Sequence, residues 1–136
     1  MERKQIARPD MIAPLVEADP TLAPVWEDFR REWSGEAEPP LYIFLGQVAR
    51  RLIGDLASGD TGRFPAVFAV VEAWHADGDE DVRTAAAIGL LEDLQNVSLH
   101  GSTQPAEFEP WLLPRSRRWW DKLNRLWSEG PSIAAR

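Results

Sequence analysis

The residues best equipped for chemistry lie in His75-Ala76-Asp77-Gly78-Asp79-Glu80-Asp81-Val82-Arg83, a histidine and four carboxylates ahead of an alanine run. Asp77, Asp79 and Asp81 fall at positions 1, 3 and 5 of a twelve-residue calcium loop. The sixth position needs glycine for a sharp turn and is Val82; the twelfth needs a bidentate glutamate and is Ile88. The stretch therefore reads as a turn between two helices, with no metal. His75 and His100 are the only histidines and match no zinc spacing, so both are expected on a solvated surface. With no cysteine, no G-x-S-x-G and no glycine-rich phosphate loop, neither a nucleophile nor a cofactor is expected. The carboxylates read as helix caps or solvated charges. No catalytic residue emerges.

Two other groups have binding chemistry. Most of the seven tryptophans fall on inward faces of predicted helices, where packing accounts for them. Trp119 and Trp120 are adjacent and cannot both face one core, so one is expected partly exposed as an interface anchor. The basic cluster Arg115, Arg117, Arg118, Lys122 and Arg125 places Arg118, Lys122 and Arg125 on one helical face. That face reads as solvated, as a partner for the acidic turn, or as a second binding surface.

Charge sorts the partners. The formal net charge is −7. Residues 66–109 carry nine acids against one base, Arg83, whereas residues 110–136 carry six bases against two acids. The acidic middle repels a phosphate backbone, which argues against nucleic acid, and attracts a basic protein surface. No apolar run is long enough for a signal peptide or a membrane span, so a cytoplasmic protein without membrane partners is expected.

The elements that position these residues are helices. The chain of 136 residues suits one domain, 1–136, with 1–8 and 131–136 expected as flexible ends. Asp10 to Ala18 reads as a short helix carrying Pro14. Asp19-Pro20 is a cap followed by proline, opening a helix with Leu22, Val25, Trp26, Phe29 and Trp33 at helical spacing. Leu41 to Ser58 is amphipathic, and Gly59 is placed to end it. A helix beginning near Pro65 follows. Asp79 or Asp77 then caps an α-helix reaching about Asn96, with Glu80 and Asp81 in its first turn, favourable to the helix dipole. From Val82 to Leu94 that helix is small or aliphatic around most of its girth, as a central helix is, and Gly89 permits close approach of a neighbour. Gln95 and Asn96 are expected to satisfy terminal carbonyls or to bond across to a neighbouring loop. A turn around Phe108 to Leu113 precedes a last helix from Pro114 or Ser116 to about Ser128, ending before Gly130-Pro131. The fold class is all-α: a compact single-domain bundle of about five to seven helices with a HEAT-like antiparallel hairpin.

Asp81-Val82-Arg83-x-x-Ala86-x-x-x-Leu90 resembles the second helix of a HEAT-type repeat, with one clear copy. Gly89 to Asn96, GLLEDLQN, followed by Leu113-Pro114-Arg115-Ser116-Arg117 and Trp120-Asp121, is similar to an uncharacterised bacterial family of small all-helical proteins. The likeness covers roughly residues 41–127. Leu113 stands where that family has glycine. The resemblance implies a helical fold and a role as an immunity protein of a bacterial toxin system; it brings no catalytic residues.

The expected function is that of a non-enzymatic protein-binding module. Its partner would be a cognate toxin with a basic cleft, a nuclease being the natural example, covered by an acidic surface of Asp77, Asp79, Glu80, Asp81, Glu92 and Asp93 with Trp119 or Trp120 as anchor. The alternative is a helical adaptor that forms a homo-oligomer or holds a partner peptide.

Overall fold

The computed structural model describes residues 5–134, with side chains described for residues 5–128. Helices make up the architecture, in the order α1 (Ile12–Ala18), α2 (Ala23–Glu32), α3 (Leu41–Ser58), α4 (Phe64–Asp77), a long rod α5 over residues 80–94, and α6 (Pro114–Ala134). Short 3-10 turns link them at Arg8–Asp10, Pro20–Leu22, Val97–Leu99 and Pro105–Trp111. No strand occurs among the described residues.

The capping residues act where the sequence places them. The Asp19 carboxylate accepts from the Thr21 N–H at 3.1 Å and from its hydroxyl at 2.6 Å, opening the turn into α2. Gly59 ends α3 in the left-handed region at φ 78°, a conformation that a Cβ would disfavour. Asp79 caps α5, its carboxylate accepting the Val82 N–H at 2.9 Å.

One rod organises the core. Along α5, Val82, Ala85, Ala86, Ala87, Gly89, Leu90, Leu91 and Leu94 are buried, and between Ala85 and Leu94 only Ile88 is open to solvent. The rod packs chiefly on α3 and also meets α4 and α6, as its all-round apolar girth predicts. A Cβ added to Gly89 would stand 2.9 Å from Leu45 Cδ1 and 3.1 Å from Tyr42 Cδ1, so the glycine sets the closest approach to α3. On the far side, α1 and α6 pack on α4. The Trp74 indole, fully buried on α4, donates to the Met11 carbonyl at 3.0 Å and ties the first helix to the bundle.

Three expectations are corrected here. The rod is not α-helical throughout: Ala85–Leu91 is a π-helix, its end marked by the Glu92 N–H donating to the Ala87 carbonyl, five residues back. An apolar ring of small residues buries equally well in either winding, so hydrophobic period carries no sign of the change. Residues 5–7, within the end expected to be flexible, are tied to the fold through Ile6. Ile6 donates to the Asp77 carbonyl at 2.8 Å and accepts from the Asp79 N–H at 2.9 Å, a parallel bridge that pins it to the corner between α4 and α5. Finally, α6 runs through Gly130-Pro131 to Ala134 rather than ending near Ser128. Proline's fixed φ is itself helical, and its cost there is the lost backbone bond and ring crowding. Residues 1–4 and 135–136, part of the expected flexible ends, lie outside the described residues.

Candidate functional site

The acidic corner is built around Gly78. A Cβ there would collide with the Trp74 carbonyl and stand 2.6 Å from Val82 Cγ1, so only glycine lets the chain turn this tightly. The turn leaves Glu80 and Asp81 exposed at the start of α5. Asp79 is half-buried by its capping role, and Asp77 is half-buried and engaged within the fold. Glu92 and Asp93 sit at the other end of the rod, roughly 15–18 Å away at helical rise. The six predicted acids therefore form two groups and not one surface. Burial raises the Glu92 carboxyl above its usual range, with the adjacent Asp93 adding to the rise. Burial raises Asp93 also, against a downward pull from Arg50. Among the described residues no group of three or more histidines, cysteines or carboxylates is arranged to hold a metal ion.

Between α4, the rod and the start of α6 lies an open cleft of about 480 Å³. Arg83 reaches it from α5; Arg115 and Arg118 reach it from α6; Glu80 supplies the one carboxylate. His75 and Trp119 form its back wall, and Ala87 and Ile88 an apolar side. The position of α6 follows from Glu72 on α4. Its carboxylate accepts from the Arg115 N–H at 3.0 Å, the Ser116 N–H at 2.9 Å and the Ser116 hydroxyl at 2.9 Å. A carboxylate on free N–H groups at a helix start satisfies orphan donors and the helix dipole together. Burial pushes the Glu72 carboxyl up, yet these hydrogen bonds outweigh it and hold the group below its usual range.

Both histidines depart from the expected surface role. His75 is 4% exposed, stacked on Trp119 with ring centroids 6.3 Å apart, and neither ring nitrogen has a hydrogen-bond partner. Burial pulls its pKa down to about 4; Glu72 opposes this and Arg83 reinforces it. His100 is a tether: its Nε2 lies 2.9 Å from the Leu94 carbonyl and its Nδ1 2.7 Å from the Thr103 hydroxyl. That pairing fits the neutral ring donating through Nε2 and accepting at Nδ1.

The adjacent tryptophans divide as the helical geometry requires. Trp119 is half-buried, with the Lys122 ammonium 4.6 Å from its ring centroid. Trp120 is fully buried, its indole donating to Glu109 at 3.0 Å, so it is no surface anchor. Its carbonyl accepts from the Gln95 amide at 2.8 Å, so that side chain bonds across to a helix and not to a loop. The tryptophan that sequence reasoning left out is Trp127, 47% exposed beside Leu126 at 42%. Together with Leu123 they flank a shallow hollow of about 130 Å³ next to Glu92. On α6, Trp119, Leu123, Leu126 and Trp127 repeat at helical spacing, a stripe that the sequence reads as facing inward in part.

The basic cluster is spread over two roles. Arg117 is used within α6 and its approach, pairing with Asp121 at 3.1 Å and Glu109 at 3.4 Å. Arg118 and Arg115 open into the cleft, where they meet Arg83. That meeting is tertiary and has no signature in local spacing.

The chain belongs to a family described as a domain of unknown function (DUF7674), whose model matches residues 12–128. No curated protein and no solved structure matches the chain. No helix among the described residues is long and apolar enough to cross a membrane.

Proposed function

We propose that this member of the DUF7674 family is a non-catalytic protein-binding module whose partner presents a basic surface with apolar groups beside it. The observation that carries the reading is the hollow formed by Glu92, Leu123, Leu126 and Trp127. Two large apolar side chains, each more than two-fifths exposed, flank a carboxylate there. An exposed tryptophan ringed by polar groups is the composition of an interface hot spot. A carboxylate already partly desolvated loses less on being covered by a cation than a fully hydrated one would.

The steering charges are Glu80, Asp81, Glu92 and Asp93, the acidic set without the capping Asp79 and the engaged Asp77. The two groups of charge complement the basic cleft of a toxin that handles phosphates, and immunity by occlusion of that cleft is the specific form proposed. The assembly alternative uses the same apolar pair to join two copies of the chain.

Affinity capture separates these readings. Wild-type protein is expected to retain one basic partner, weakened by high salt, with Trp127→Ala or Glu80→Lys/Asp81→Lys releasing it. A partner retained equally by all three proteins contradicts the assignment, and a concentration-dependent dimer lost in Trp127→Ala establishes the assembly form in its place.

A further inference from the structure

The cleft between α4, α5 and α6 has the opposite charge to the molecule around it. Its lining carries Arg83, Arg115 and Arg118 against the single carboxylate of Glu80, in a protein of net charge −7. None of the three guanidinium groups takes part in an ion pair among the described residues. Guanidinium forks match the oxygens of a phosphate in spacing and charge, and three of them facing one carboxylate leave an excess that a dianion neutralises.

Glu80 and the Thr84 hydroxyl, on the same lining, supply polar partners for hydroxyl groups, the carboxylate accepting and the threonine able to give or accept. His75 also lines the cleft, but both its ring nitrogens are closed off from solvent, so it serves as wall and not as a hydrogen-bonding group. At about 480 Å³ the cleft falls in the range of small-molecule sites and is far roomier than one phosphate group requires.

We propose that this cleft binds a hydroxylated organic phosphate of the sugar-phosphate class, with Arg83, Arg115 and Arg118 on the phosphate and Glu80 and Thr84 on hydroxyls. The assignment shares only Glu80 with the protein-binding reading and uses none of Glu92, Leu126 or Trp127.

Calorimetric titration with glucose 6-phosphate, glucose and inorganic phosphate tests it. Glucose 6-phosphate is expected to bind at least about tenfold more tightly than either fragment, as one or two charge-assisted hydrogen bonds are worth that much. Arg83→Ala/Arg118→Ala is expected to lose about tenfold or more, and the milder Arg118→Gln a smaller part, while Arg125→Ala outside the cleft changes nothing. Glu80→Ala/Thr84→Val, its fold checked by circular dichroism, is expected to abolish the margin over inorganic phosphate. Absence of glucose 6-phosphate binding, equal affinity for inorganic phosphate, or affinity unaltered in the arginine variants would overturn the proposal.

Discussion

His75 is a buried polar ring that the fold leaves unpaired. Two buried ring nitrogens without partners cost free energy that an apolar ring would not. His75→Phe is therefore expected to stabilise the fold by about 1–3 kcal/mol at neutral pH, measured as a shift in urea midpoint. The pH dependence follows from the same burial. Burial brings the pKa of the folded ring down to about 4, below the 6.5 of a free histidine, so between these values the unfolded chain binds the extra proton. The contribution is complete above about pH 6.5 and is lost as pH falls toward 4, on the order of 3 kcal/mol in all. Glu72, depressed in the fold, acts in the same direction at lower pH, whereas the raised Asp55, Glu92 and Asp93 act against it. The slope between pH 6.5 and 4 should shrink in His75→Phe; an identical slope in both proteins excludes the assignment. Gly78 is the opposite case, a residue with no freedom to change. Gly78→Ala is expected to cost about 3 kcal/mol through the collision with Trp74 and Val82, and a midpoint within experimental error of wild type would contradict that.

At the scale of elements, much was legible because capping and period act locally. Leu41–Ser58 and its Gly59 end follow from one apolar stripe and one glycine. The Asp79 cap follows from the residues at fixed offsets in the turn. The π winding of Ala85–Leu91 was not legible, since it changes hydrogen bonding without changing which small residues are buried. The pinned Ile6 segment was equally hidden: its bridge joins residues 72 positions apart through backbone atoms alone. The cleft shows how a site divides between these cases. Arg115 and Arg118 were marked by their clustering, but Arg83 and His75 join them only because Glu72 fixes where α6 starts. Glu72→Ala removes three acceptor bonds from that helix start and is expected to cost about 1–2 kcal/mol, read in chemical denaturation. An unchanged midpoint would show that α6 is positioned by its core contacts alone.

Over the whole molecule, the central rod divides the surface into an acid-tipped corner, a cationic cleft and an apolar hollow at its far end. The net charge of −7 obscures this arrangement, because it averages a local excess of arginine with two separated groups of acids. Sequence reasoning placed the acids on the right helix and yet read them as one patch, since linear proximity to the turn was the only guide to Glu80 and Asp81 and none linked them to Glu92. Partner recognition would then draw on the hollow for desolvated contact and on the acids for approach. Hydrogen–deuterium exchange of the captured complex measures this directly. Protection is expected on α6 around Leu123 to Ser128 and at the Glu92 end of the rod, whereas protection confined to other faces, such as α2 or the Val97 turn, would contradict it.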